Sequence, residues 1–529
     1  MARAVTPPSA GWSRPLTIDR APANGSTTQV SLPDGRLAVI WAADQGFRLY
    51  TVAPNGTASA PVSVFPSEAS PVGVESVAVG TDVYMFWEDF STHTLRTAAI
   101  TPDGSVRAAP RDIVAGVKGY AAAVGGNPSV PHVLTMTGDR LALYGLSPAG
   151  AWTVVGSSLP VQGGLALDLQ GAQDGSLYGL VATRENQEGN SPVHVLLVRP
   201  GAQGTNAAGL DAREVAGFSL ETLKEGLSHL SLGLDARSAY AFWDVQRNDR
   251  GERTTISQYV TWPLGQPPVQ PLQPAGLSPL PGSALPVSDL STVMPAPGQD
   301  ARLAAAASAV VGTGRDRAVE IMELTFQDGR LVEQQLAGPS SSMSLQPLLT
   351  RSGQDRRLTW VQPRGSSAVL LAGSTMDAFR EARAKVNASD WTQAISTAVL
   401  NIGFAYLPAL ISLAWLFPTL MLIAAIYLVA LNWAERNGLI LNVVGLVVYI
   451  ALKLYLTQSL LFTPPVLARM PAFMASHVSW LAVATVVAAS LELLRKNRRF
   501  LQAPVAASLG PLVMYDVVLM ALIVAPYVK

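Results

Sequence analysis

The stretch "WSRPLTID" (Trp12–Asp19) decides how this chain is read. After Pro15 its apolar residues alternate and end at Ile18, the period of a half-buried strand. Nothing before it is long enough to be its hairpin partner. The same pattern, a proline followed by alternating apolar residues, returns in "ASAPVSVF" with Pro61 and in "RAAPRDIV" with Pro110. Both of those follow a tight turn and read as the outer strand of a repeated unit. The opening stretch therefore reads as an outer strand detached from its own unit.

The repeat is set by its turns. "APNG", "TPDG" and "SPAG" end at Gly56, Gly104 and Gly150, which are 48 and 46 residues apart. Proline presets the first turn dihedral and glycine supplies a positive φ. Each turn follows a β-type run: "FRLYTV", "LRTAAI", "LALYGL". An aromatic strand lies ahead of the first two, "LAVIWAAD" and "VYMFWEDF", and returns as "AYAFWDVQ" around Trp243 and "RLTWVQP" around Trp360. Weaker turns occur at "RPG", "WPLG" and "FQDG", the last ending at Gly329.

A period of this length with about four short strands per unit indicates propeller blades. Over residues 10–375 the chain resembles the β-propeller superfamily at the level of fold. Six turns plus one composite unit predict seven blades. The composite joins the N-terminal strand to the last repeat, Leu345 to Leu371, which supplies three strands and lacks a fourth. Such pairing leaves no open sheet edge. The tryptophans are read as packing between blades. Neither the Asp-box of sialidases nor the G-H…W-D signature is present, so the resemblance carries no site residue.

Residues 265–297 break the rhythm. "GQPPVQPLQPAGLSPLPG" reads as a proline-rich insertion between blades, or else as a polyproline ligand for a partner. Residues 1–9 read as a disordered leader.

Composition changes near residue 380. Only 14% of the chain is charged, well below the usual quarter, and the deficit falls mainly beyond Trp391. Five apolar segments, near 392–413, 416–433, 438–461, 473–493 and 505–527, predict an all-α transmembrane bundle of four or five spans. The first two run on from each other and are read either as a hairpin or as one span with an interfacial helix. Residues 376–391 read as a linker or juxtamembrane helix. The expected location is the cell membrane, multi-pass. The basic loop "RKNRR" (Arg495–Arg499) predicts a cytoplasmic propeller for five spans. Four spans, or a signal sequence upstream of "ARA" at residues 2–4, put it outside.

A formal net charge of zero gives no electrostatic case for nucleic acid. No cysteine is present, which excludes disulfides and thiolate chemistry. The histidines have no metal-ligand spacing, and no Walker loop, dinucleotide fingerprint, G-x-S-x-G or H-E-x-x-H occurs. No cofactor, metal or catalytic residue is assigned. Two ionisable residues fall deep in apolar segments, Lys453 in "IALKLYL" and Asp516 in "MYDVVLM". A charge in hydrocarbon costs a few kcal/mol unless paired. Their depths differ by only ~6 Å, so they are expected to face each other, as a structural pair or as an ion relay. Glu88, Asp89 and Asp244 end or follow aromatic strands and could line a propeller face; the plainer reading is turn capping.

The leading expectation is a membrane-anchored binding or scaffold module. Its partners are the lipid bilayer and a protein or carbohydrate ligand on the propeller face. The first alternative is a transporter or channel-associated subunit with a regulatory propeller. The second is a propeller-based hydrolase with paired carboxylates in the central funnel.

Overall fold

The computed structural model describes residues 11–384, apart from 23–24, 43–44, 70, 127–128, 186–188, 201–208, 250–251, 278–286, 294–301, 312–317, 339–342 and 366. Beyond them it describes residues 417–456, 478–496 and 511–519. The predicted leader and the first apolar segment lie outside the described residues. The chain divides into two compact units, Met1–Lys385 and Val386–Lys529.

The first unit is a seven-bladed β-propeller of four-stranded antiparallel sheets. Strand β1 is Leu16–Pro22. Blade 1 holds β2 (Thr27–Ser31), β3 (Leu37–Ala42), β4 (Gln45–Val52) and β5 (Val62–Ala69). Blade 2 holds β6 (Pro71–Val79), β7 (Asp82–Asp89), β8 (Thr94–Ile100) and β9 (Val106–Ala115). Blade 3 holds β10 (Val117–Gly125), β11 (Val130–Thr137), β12 (Arg140–Leu146) and β13 (Trp152–Pro160). Blade 4 holds β14 (Gly164–Gly171), β15 (Leu177–Arg184), β16 (Asn190–Pro200) and β17 (Leu210–Glu221). Blade 5 holds β18 (Glu225–Leu234), β19 (Ser238–Asp249), β20 (Glu252–Pro263) and β21 (Ala275–Gly276). Blade 6 holds β22 (Val287–Val293), β23 (Arg302–Val311), β24 (Ala318–Gln327) and β25 (Arg330–Gly338). Blade 7 holds β26 (Leu345–Ser352), β27 (Asp355–Arg364) and β28 (Ser367–Ser374), with β1 as its fourth strand.

The orphan strand thus pairs with the far end of the unit. Leu16 lies opposite Ala372 and Pro22 opposite Ser367, with one irregularity at Ile18. Just before it, Ser13 donates its N–H to the Ser374 carbonyl and its Oγ accepts the Ser374 N–H. Five of the six sequence turns join the third strand of a blade to its fourth, and the sixth, "RPG", runs on into residues outside those described. Gly56, Gly104 and Gly150 there have φ of +75°, +88° and +77°, a region that favours glycine.

Second strands are covered on both faces by neighbouring blades, so they read as apolar runs. Every residue of β3, "LAVIWA", is buried. Trp41, Trp87, Trp243 and Trp360 are all fully buried. Trp87 of blade 2 meets Phe47 of blade 1 edge-on at 5.1 Å, and Trp243 of blade 5 stacks on Phe218 of blade 4 at 5.1 Å. Truncating such a tryptophan to alanine typically costs about 3–5 kcal/mol.

The proline-rich stretch contributes to the blades. It supplies β21, which pairs with β20 as the outer strand of blade 5, and Leu272 donates its N–H to Val215 O on blade 4. An outer strand has one free edge, where proline's missing N–H costs nothing. The range 265–297 also contains the inner strand of blade 6, β22.

After β28 the chain enters helix α1 (Asp377–Ala384), whose Phe379 is buried against Leu37 and Val52 of blade 1. Part of the expected linker is therefore an element of the propeller unit.

The second unit is helical: α2 (Phe417–Val429), α3 (Leu431–Arg436), α4 (Gly438–Leu456), α5 (Val478–Lys496) and α6 (residues 511–519). The expected bundle of four or five spans is not supported. Among the described residues one helix, α4, is long and apolar enough to cross a bilayer. The apolar run at 416–433 is cut at Ala430, whose φ of −137° leaves the helix. Helix α2 is then roughly 20 Å long at ~1.5 Å per residue, short of the ~30 Å hydrocarbon layer.

Candidate functional site

Strands within a blade alternate in direction. Turns from first to second and from third to fourth strand therefore emerge on one face of the propeller. Turns from second to third strand, and the crossings to the next blade, emerge on the other. The seven innermost strands, β2, β6, β10, β14, β18, β22 and β26, enclose a central funnel of about 770 Å³. Its lining starts on the crossing side in β2, β6 and β26 and reaches the middle of β10, β14, β18 and β22. Helix α1 leaves from the opposite face, where Phe379 covers the turn at Gly56.

Six of the seven inner strands carry a register irregularity near their start, at Val72/Glu75, Val117/Gly119, Gly164/Ala166, Leu227/His229, Ser288/Ser291 and Leu345/Leu348. A bulge bends the strand and re-aims its side chains. Here a ring of them surrounds the mouth. Asp289 and Gln346, both lining the funnel, hold φ of +54° and +52°.

The lining mixes polar and apolar groups in about equal measure, with no lysine or arginine among it. Glu75 and Asp168 bring two carboxyl groups into the wall. Glu75 Oε2 accepts the Ala122 N–H of the next blade at 2.6 Å. Asp168 accepts the N–H groups of Leu169 at 2.8 Å and of Leu232, on the next blade, at 2.6 Å. Each carboxyl shows some surface to the funnel yet is enclosed by protein beyond it. That enclosure, and secondarily the Asp168 charge, pushes Glu75 up to about 8. Burial also raises Asp168, against its two backbone hydrogen bonds. Tyr120 lines the wall and donates to the Gly73 carbonyl; burial, then Glu75, raises its hydroxyl. His229 Nε2 contacts the Leu290 carbonyl of blade 6 at 2.7 Å. Thr28 and Ser76 join blades 1 and 2 at 2.9 Å, and Thr292 donates to Leu232 O at 2.6 Å. The funnel wall is thus stitched blade to blade by groups that also face its interior.

The acids singled out from the sequence do not line the funnel. Asp89 caps the turn after β7, accepting from Ser91 N at 2.9 Å and Thr92 N at 3.3 Å. Glu88 pairs with His93 Nδ1 at 2.6 Å on the rim of the crossing face. Asp244 is buried behind the wall, accepting from Ser257 Oγ at 2.5 Å and from Asp289 N at 2.7 Å. It positions the left-handed Asp289. Among the described residues no group of three or more His, Cys, Asp or Glu could hold a metal ion. Glu75, Asp168 and Tyr120 escape sequence reasoning because inner strands carry no motif. The one signal is a glycine beside the bulge in "PVGVES" and "VKGYAA".

In the helical unit Lys453 and Asp516 are brought together. Lys453 Nζ lies 2.6 Å and 2.7 Å from the two Asp516 oxygens and 2.7 Å from Thr485 Oγ1. Tyr449 donates to Asp516 Oδ2 at 2.7 Å.

Among solved structures, the chain is similar to the lectin SapL1 in complex with alpha methyl fucoside. Identity is 15%, covering 60% of this chain and 97% of that one, with a TM-score of 0.32. It is similar to the alpha-L-arabinofuranosidase of Fusarium graminearum with arabinobiose at 10% identity, 69% and 98% coverage and a TM-score of 0.36. It is similar to Drosophila Semaphorin 1b, extracellular domains 1-2, at 8% identity, 68% and 87% coverage and a TM-score of 0.36. No protein-family model and no curated protein matches the chain. The propeller assignment rests on the sheet order alone.

Proposed function

We propose that this protein is a membrane-anchored binding module that takes a polar ligand, a glycan or a hydrophilic protein segment, at the mouth of its propeller funnel. The observation that carries the reading is the funnel itself. Seven inner strands converge on one cavity of about 770 Å³, within the usual range of ligand sites, and a ring of bulges turns hydroxyl, amide and carboxyl groups toward it.

Support for the anchor comes from α4. Its buried residues are Leu441, Asn442, Gly445, Tyr449 and Lys453. Its exposed residues include Leu439, Ile440, Val443, Val444 and Val447. The polar stripe faces inward and the aliphatic stripe outward, the reverse of a helix in water. The cell membrane is the location this favours. Vesicle flotation tests the anchor, and protease protection in sealed vesicles reports the propeller's side.

The binding test uses the full chain in detergent, applied to a glycan array and to affinity capture, beside a funnel-blocking variant, Ser231→Trp. A ligand held by the wild type and lost by the folded variant supports the reading. Equal binding by both, or none by either, rejects it. A second reading, a glycoside hydrolase, is favoured by one observation: Glu75 and Asp168 place two carboxyl groups in one funnel wall, and burial and the Asp168 charge push Glu75 up to about 8, as a general acid requires. Turnover of aryl glycosides, lost in both Glu75→Gln and Asp168→Asn, is the outcome that would establish it.

A further inference from the structure

The four side chains around Lys453 do more than neutralise a charge. The ammonium has three N–H donors, and three oxygens surround it at 2.6–2.7 Å: both of Asp516 on α6 and Thr485 Oγ1 on α5. The Tyr449 hydroxyl, one turn before Lys453 on α4, braces the same carboxylate at 2.7 Å. Lys453 and Asp516 side chains are each 1% exposed. A clamp between two helices needs only the ammonium and the carboxylate. Here three helices contribute: a cage of three oxygens with one negative charge holds the ammonium, and the Tyr449 hydroxyl, bonded to the carboxylate, braces it. Hard oxygen donors with a single charge make the donor set of a simple cation rather than of a soft transition metal. The Lys453 ammonium occupies that cage as a cation tethered to its own wall.

We propose that Tyr449, Lys453, Thr485 and Asp516 form a cation–proton exchange site, in which a monovalent metal cation and the Lys453 ammonium compete for Asp516. The exchange balances one for one. The metal cation takes its place at the Asp516 carboxylate, Lys453 releases one proton to water and becomes a neutral amine, and the charge of the site is unchanged. The reverse step returns the proton and releases the cation. This inference rests on the membrane reading above, because the exchange has a direction only if the helical unit separates two compartments.

The test reconstitutes the full chain into phosphatidylethanolamine–phosphatidylglycerol vesicles loaded with choline chloride and a pH-sensitive dye. Sodium or potassium chloride is then added outside. The expected result is a change of internal pH with at least one of the two cations, absent with added choline and absent in protein-free vesicles. Asp516→Asn is expected to abolish it. Because that variant could misfold, Thr485→Val provides a milder one. Loss of one ligand oxygen is expected to raise the half-maximal cation concentration by about tenfold, equivalent to ~1.4 kcal/mol. Protein that floats with the vesicles yet moves no protons with either cation overturns the inference and leaves the membrane reading standing. An unchanged cation dependence in Thr485→Val, or wild-type flux in Asp516→Asn, also overturns it. Protein that fails to float rejects the membrane reading and this inference with it.

Discussion

The Trp12 indole N–H donates to Glu323 Oε2 at 2.8 Å, joining residues 311 positions apart. Glu323 lies on β24 of blade 6, where Gln335 Nε2 donates to the same oxygen at 2.6 Å and Arg356 of blade 7 approaches the other at 2.9 Å. The ring is therefore closed twice, by the strand pairing of β1 with β28 and by this buried carboxylate. Trp12→Phe keeps the apolar bulk but removes a donor from a buried acceptor, so stability is expected to fall by about 1–3 kcal/mol. Trp12→Ala adds a cavity and is expected to cost about 3–5 kcal/mol. Pulse proteolysis of the full chain in urea checks both, and equal stability of Trp12→Phe and wild type contradicts the role given to the hydrogen bond.

The strand pairing has its own test. Leu16 and Ala372 are cross-strand partners, and such partners lie about 4.5–5.5 Å apart at Cα, inside the range a disulfide bridges. The chain has no native cysteine. Leu16→Cys with Ala372→Cys is expected to oxidise to a single intramolecular bond under mild oxidant, seen by mass spectrometry after cleavage between the two positions. Two free thiols in folded protein contradict the register.

Glu75 makes stability depend on pH with a definite sign. Its carboxyl ionises near 4.5 when unfolded and near 8 when folded. Between those values the folded state binds more protons. Its stabilising contribution is therefore complete below about 4.5 and is lost as pH rises through about 8, by up to ~1.4 kcal/mol per unit. Asp168, also raised, adds in the same direction. Glu75→Gln is expected to flatten the slope between about pH 5 and pH 8 and to be the more stable protein at about pH 8. Denaturant midpoints across that range check it; parallel curves contradict it.

Asp244 serves the funnel from behind. Asp244→Ala strands the Asp289 N–H and leaves the Ser257 hydroxyl only the Val287 carbonyl as acceptor. The expected loss is about 1–3 kcal/mol, together with faster amide exchange at Asp289. A variant as stable as wild type, with unchanged exchange there, contradicts this role.

What the sequence conveyed follows from what repeats. Pro-Gly turns recur because the six continuous blades must each reverse between their third and fourth strands, and Trp41, Trp87, Trp243 and Trp360 recur because each fills a gap between sheets. Those constraints predicted the propeller, the seven blades and the strand that seals them. Blade 5 hid its outer strand in prolines because an outer edge tolerates them. The funnel was not legible, since an inner strand must only be short and alternating, and the bulge that aims Glu75 inward is marked only by the neighbouring Gly73, one glycine among many. Lys453 and Asp516 were legible as a pair because a lone charge among apolar residues demands a partner, whereas Thr485 and Tyr449 are ordinary residues until the helices meet.

The most direct measurement of the central claim is site-specific photo-crosslinking on the full chain in its native membranes. A benzophenone side chain is placed at Gln170, which lines the funnel, and in a second protein at Val332, exposed on outer strand β25. The account expects a discrete, saturable adduct from position 170 and none from position 332. Adducts from 332 alone, or none from a folded protein carrying the probe at 170, contradict a binding role for the funnel.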